Sequence, residues 1–106
     1  MKIGSFTAAS NVTGILSDTN TISSILHQYS ALSFWDYATA APYVKVDMNP
    51  YITGPQKDLV HKDAIFISGH KFPGGLGSPG IIIAKKFLFD KNRSPPRPGG
   101  GTVFFV

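Results

Sequence analysis

Eleven glycines and eight prolines are spread through 106 residues, against a combined share of about 12% in an average chain, and they cut the sequence into short segments separated by turns. That punctuation argues against a helical bundle and for short strands joined by loops. The length allows one domain at most, and a hydrophobic fraction of 42% is enough for one modest core. Cysteine is absent, which removes disulfides, thiolate nucleophiles and cysteine-ligated metals. Glutamate is absent too, so every side-chain carboxylate is one of Asp18, Asp36, Asp47, Asp58, Asp63 and Asp90. Apolar runs are short, and Met1 to Val12 has no continuous apolar h-region. The sequence therefore predicts neither a membrane span nor a secretory signal, and a cytoplasmic location is expected.

Ile3 to Ala9 alternates weakly and stops at the turn-favouring Ser10-Asn11, which predicts a short strand. Asp18-Thr19-Asn20-Thr21 then offers N-cap residues, and Ile22, Ile25, Leu26 and Tyr29 follow at helical spacing, which predicts one amphipathic helix. Ala31 to Trp35 and Ala64 to Ser68 are compact apolar runs that predict buried strands, the first ending at Asp36 and the second at Gly69-His70-Lys71. Pro42 to Lys62 carries no countable period and is expected to be loop, with room for one turn of helix. Ile81 to Ala84 predicts a further strand, antiparallel or reached by a crossover, with the glycine-rich connection leaving both open. The strand–helix–strand beginning points to a parallel α/β unit. The end of the chain, 85–106, is a basic tail rich in proline and glycine, with Lys85, Lys86, Lys91, Arg93 and Arg97 against Asp90.

Several chemistries fall away. Gly75 to Gly80 fits G-x-G-x-x-G, but Pro79 lies inside it and Ile81-Ile82-Ile83 follows, so no helix N-terminus is available to hold a pyrophosphate. A P-loop is absent. His27, His61 and His70 are too widely spread for a metal site read by spacing, and no metal is expected. The basic tail with Phe87, Phe89, Phe104 and Phe105 could form a nucleic-acid surface, the alternative to an enzyme. A net charge of +4 is mild, however, and aromatics alternating with aliphatics read as core, so nucleic acid is disfavoured as a partner. Two strand ends remain, Asp36 and Lys71, where open α/β sheets gather ligands. A lysine leaving an apolar strand, with its ammonium partly desolvated, can attack a carbonyl as the neutral amine. Pyridoxal phosphate would engage both residues, its aldehyde with the lysine and its ring nitrogen with the aspartate.

The ordered elements Ser10-Asn11-Val12-Thr13-Gly14, Phe34-Trp35-Asp36-Tyr37-Ala38, Ser68-Gly69-His70-Lys71 with its glycine-rich sequel, and Pro98-Gly99-Gly100-Gly101-Thr102 resemble the class V aminotransferase family of pyridoxal-phosphate enzymes, in its cysteine desulfurase and selenocysteine lyase-like branch. The resemblance runs through nearly the whole chain. It implies an α/β fold with a partial, mostly parallel sheet, forming a central segment of the large domain of an aspartate aminotransferase-like enzyme. It implies Lys71 as the Schiff-base lysine, Asp36 as partner of the pyridine nitrogen, and Asn11 near the phenolic oxygen. Ser68 and His70 would contact the cofactor phosphate, and Thr102 the phosphate of the neighbouring subunit in a homodimer. The substrate implied for the full-length relative is an amino acid. Thr39 stands where desulfurases commonly carry glutamine, and these 106 residues alone are expected to turn over weakly or not at all.

Overall fold

The computed structural model describes residues 1–94. Four strands, β1 (Lys2–Thr7), β2 (Ala31–Asp36), β3 (Ala64–Ser68) and β4 (Gly80–Ala84), form one sheet in the order β1-β2-β3-β4. The first three run parallel and β4 returns antiparallel along β3, so the glycine-rich connection makes a reversal and no crossover. The expected α/β architecture with a partial, mostly parallel sheet is what the chain adopts. The first strand ends at Thr7, short of the predicted Ala9, and Ala8 and Ala9 continue into the core as loop residues.

Helix α1 (Thr19–Gln28) links β1 to β2 and starts where the caps predict, with Asp18 Oδ1 accepting the Thr21 amide at 3.1 Å. That bond, made by the charged carboxylate, lowers the Asp18 pKa from 3.8. Asp18→Ala is expected to cost about 1 kcal/mol, the usual value of an N-cap. Since the folded pKa lies below the unfolded one, the ionic part of this contribution is present above pH 3.8 and is lost as pH falls through the folded value. Urea midpoints at neutral and acid pH check both points.

The helix buries a different face from the one its isoleucines mark. Ile25 and Tyr29 are exposed, whereas Ser23 and Ser24 are buried and Ile22 and Leu26 are half-buried. Small serines let the helix axis approach β2 closely, and Gly4 on β1 clears the space that Leu26 fills; a Cβ there would collide with the leucine. Under this helix sits the core, built from Ala8, Ala9, Trp35, Tyr37, Ala40, Ala41 and Ile65. The opposite face of the sheet, carrying Ile3, Phe66 and Ile82, is largely open. Phe87 and Phe89, expected in the core, are exposed as well, because the small core closes around Trp35 before the chain reaches them.

Lys62 is 2% exposed, and its ammonium donates to the Asp47 carbonyl at 3.1 Å. Burial pushes its pKa down from 10.5. Between the folded value and 10.5 the unfolded chain therefore binds more protons than the folded one, so stability is expected to rise with pH across that interval. Lys62→Met should flatten the slope. The comparison belongs below pH 10.0, because the buried Tyr37 hydroxyl, pushed up from 10.0, contributes the opposite slope above it.

Candidate cofactor site at the carboxyl ends of the parallel strands

In a parallel sheet the loops after each strand leave from one edge, and here Thr7, Asp36 and Ser68 end their strands side by side. Asp36 pairs with Phe66, and Ser68 lies two residues beyond Phe66, so the strand period sets Asp36 and Ser68 on the same, open face of the sheet. Asp36 Oδ1 accepts the Ala38 amide at 2.7 Å, which fixes the carboxylate against the turn that leaves the strand. Asn11 belongs to the loop after β1, in a turn where Ser10 Oγ accepts the amides of Val12 and Thr13 at 3.2 and 3.1 Å. Thr102 lies outside the described residues.

After Ser68 the chain tightens into a single 3₁₀ turn, Gly69–Lys71. Both His70 and Lys71 are exposed on it. The partly desolvated ammonium expected for Lys71 is thus not found: the turn carries the side chain past the edge of the apolar strand and into solvent. Among the described residues, the Ser68 hydroxyl, the His70 ring and the Lys71 amine make no hydrogen bond or ion pair. The glycine-rich loop folds back on this turn. The Gly75 amide donates to Phe72 O at 2.8 Å, the Phe72 amide donates to Gly69 O at 3.1 Å, and a Cβ on Gly75 would collide with the Gly69 carbonyl. Gly74 and Gly77, at φ of 75° and 78°, take the left-handed turns that bring the loop round to β4.

The donor set suits a phosphorylated aldehyde with a basic ring nitrogen. An uncommitted hydroxyl and imidazole can bind phosphate oxygens, an uncommitted amine can meet a carbonyl carbon, and an anchored carboxylate can accept from a protonated ring nitrogen. Among the described residues, none of these side chains has to be removed from a competing partner first.

The model of the aminotransferase class V family matches residues 1–106. The chain belongs to the class V aminotransferase family. A protein of Halalkalibacterium halodurans named "Probable cysteine desulfurase" is 30% identical over 105 residues, covering 99% of this chain and 23% of the relative. The chain thus spans about a quarter of the length of that curated relative. Class V aminotransferases are in general pyridoxal-phosphate enzymes acting on amino acids. The four-stranded sheet with its single helix is consistent with part of such a domain.

The other edge of the sheet holds residues that sequence spacing kept apart. His27 from the last turn of α1 and His61 from the approach to β3 stack with ring centroids 4.0 Å apart, beside the buried Asp63. His70 stays at the opposite edge, on the Lys71 turn. Nothing in the spacing of the histidines pointed to this pair; the only available hint was a charged Lys62-Asp63 step entering the apolar run Ala64 to Ile67.

Proposed function

We propose that this chain is a segment of a cytoplasmic, homodimeric pyridoxal-phosphate-dependent enzyme that acts on an amino acid, with Lys71 as the residue that bonds the cofactor. The observation that carries the reading is the placement of Asp36, Ser68, His70 and Lys71 at one sheet edge, with the last three making no side-chain hydrogen bond or ion pair among the described residues. When bound, pyridoxal phosphate supplies an aldehyde and an electron-withdrawing ring. Asp36, held by the Ala38 amide, would accept a hydrogen bond from the protonated ring nitrogen and so keep the ring in its cationic form. Ser68 and His70 donate to the phosphate, and the Gly69–Gly75 contact keeps the turn tight enough to hold both donors near Lys71. Asn11 addresses the phenolic oxygen. Thr102 serves the phosphate of the neighbouring subunit.

The test is to incubate the chain with pyridoxal phosphate, reduce with borohydride and map the labelled peptide. A stable adduct concentrated at Lys71 and absent from Lys71→Ala is expected. Label spread evenly over Lys2, Lys45, Lys57 and Lys86, with no preference for Lys71, would overturn the assignment.

A further inference from the structure

The second concentration of reactive side chains lies at the amino-terminal end of β3, away from the Lys71 turn. His27 Nδ1 lies 2.6 Å from the Leu59 carbonyl oxygen, and His61 Nδ1 lies 3.0 Å from that of Asp58. A carbonyl oxygen only accepts, so Nδ1 carries the hydrogen in both rings and Nε2 is the free end. Both Nε2 atoms turn to one carboxylate: His27 Nε2 is 2.9 Å from Asp63 Oδ2, and His61 Nε2 is 3.6 Å from Oδ1. Asp63 is 2% exposed and is oriented by the Ser33 amide, which donates to Oδ2 at 2.8 Å.

Two lone-pair atoms 2.9 Å apart need either a hydrogen between them or a cation that binds both from one side at a bent angle. His61 Nε2 is too far from Oδ1 for a hydrogen bond, so its lone pair is unclaimed among the described residues. Imidazoles anchored through Nδ1 to main-chain carbonyls, with Nε2 converging on a buried carboxylate, are arranged as metal-ligating histidines are. One ligand atom from each of the three residues lies within 4.8 Å of the others. Bonds of about 2.0–2.2 Å to zinc would draw that set slightly inward. The inward movement falls to His61, whose side chain is 34% exposed and can pivot about its Nδ1 bond to the Asp58 carbonyl.

We propose that His27, His61 and Asp63 form a binding site for a divalent transition cation of the zinc class. Two imidazoles and one carboxylate favour such a cation over calcium or magnesium. His61 and Asp63 also line a cleft of about 640 Å³ with Asn49, Tyr51, Lys57 and Lys85, which leaves a fourth coordination position facing solvent or a small ligand. In that cleft Asp58 and Asp63 offset the charges of Lys57 and Lys85. The site does not depend on the cofactor reading and involves none of its residues.

The test titrates the full chain, freed of metal, with Zn²⁺ by calorimetry and with Co²⁺ by visible absorption. Saturable single-site binding is expected, with the strong absorption of low-symmetry cobalt coordinated by imidazole and a Zn²⁺-dependent rise in Tm. His61→Phe preserves the ring stacked on His27 and leaves the His27–Asp63 contact untouched, yet should weaken Zn²⁺ binding by about tenfold or more. His27→Gln, read by the same titration, should do likewise. Absence of saturable binding in the wild-type chain, or wild-type affinity in folded His61→Phe, overturns the proposal.

Discussion

Truncating Trp35 to alanine is expected to destabilise the chain by about 3–5 kcal/mol, the cost of emptying a fully buried aromatic site. Trp35 is 0% exposed and lies in the same core cluster as Ala8, Ala9, Tyr37 and Ile65, between the helix and the sheet. Four of the six other residues of that cluster are alanines, which cannot extend into the space an indole leaves, so the cavity would persist. Polar packing adds to the apolar loss: Trp35 Nε1 donates to Ser33 Oγ at 2.7 Å and to Ser23 Oγ at 3.0 Å. The two hydroxyls also bond each other at 2.6 Å, so they remain satisfied once the indole is gone and the cavity term dominates. Trp35→Phe keeps most of the ring volume and should lose less than half as much. Domains of this size have total stabilities of roughly 5–15 kcal/mol, so Trp35→Ala should leave a measurable unfolded fraction without denaturant. Equilibrium urea unfolding followed by circular dichroism gives the comparison, and a midpoint for Trp35→Ala close to wild type would refute this account of the core.

The same residues show how far the amino-acid pattern could be read. The helix was legible because a cap and a helical period act within one turn of the chain, and Asp18 and Ile22 carry both signals. Its buried face was not, because Ser23 and Ser24 are buried for reasons that lie on β2: an indole needing acceptors and a strand close enough to exclude isoleucine. The strands at Ala31 and Ala64 were legible as short apolar runs with polar ends. The direction of β4 was hidden in the folding of Gly75 against Gly69, a contact between backbones that no side-chain pattern records. In the candidate cofactor site, the positions of Asp36 and Lys71 after their strands could be read, since each is fixed by where an apolar run stops. The exposure of Lys71 could not, since it depends on a 3₁₀ turn set by that same glycine contact. The His27–His61 stack joins a helix to a loop through tertiary packing alone, and it left no periodic trace.

Asp63→Ala is the second substitution expected to cost about 3–5 kcal/mol, because it removes the buried carboxylate that both the Ser33 amide and the His27 ring face, and hydrogen bonds to a charged group are worth about 1.5–3 kcal/mol each. The carboxylate accepts from the Ser33 amide at 2.8 Å and faces His27 Nε2 at 2.9 Å. Its backbone is tied down as well, with the Asp63 amide donating to Ser33 O and its carbonyl accepting from Lys85, each at 2.8 Å. Asp63 therefore holds the start of β3 to β2 through both main chain and side chain, and holds the end of α1 through His27. Alanine keeps the main-chain bonds but orphans a buried amide, which alone costs about 1–3 kcal/mol, and leaves the His27 ring facing an apolar methyl. Asp63→Asn retains an oxygen that can accept the Ser33 amide, so its loss should fall well below that of alanine; the interval between the two variants isolates what the second oxygen and the negative charge contribute. Thermal and urea unfolding of both variants measure that interval. Equal stabilities for Asn and Ala would mean that the carboxylate charge carries the whole effect. A loss below about 1 kcal/mol for both, the level of an exposed ion pair, would mean that this edge of the sheet is held by its backbone ladder alone.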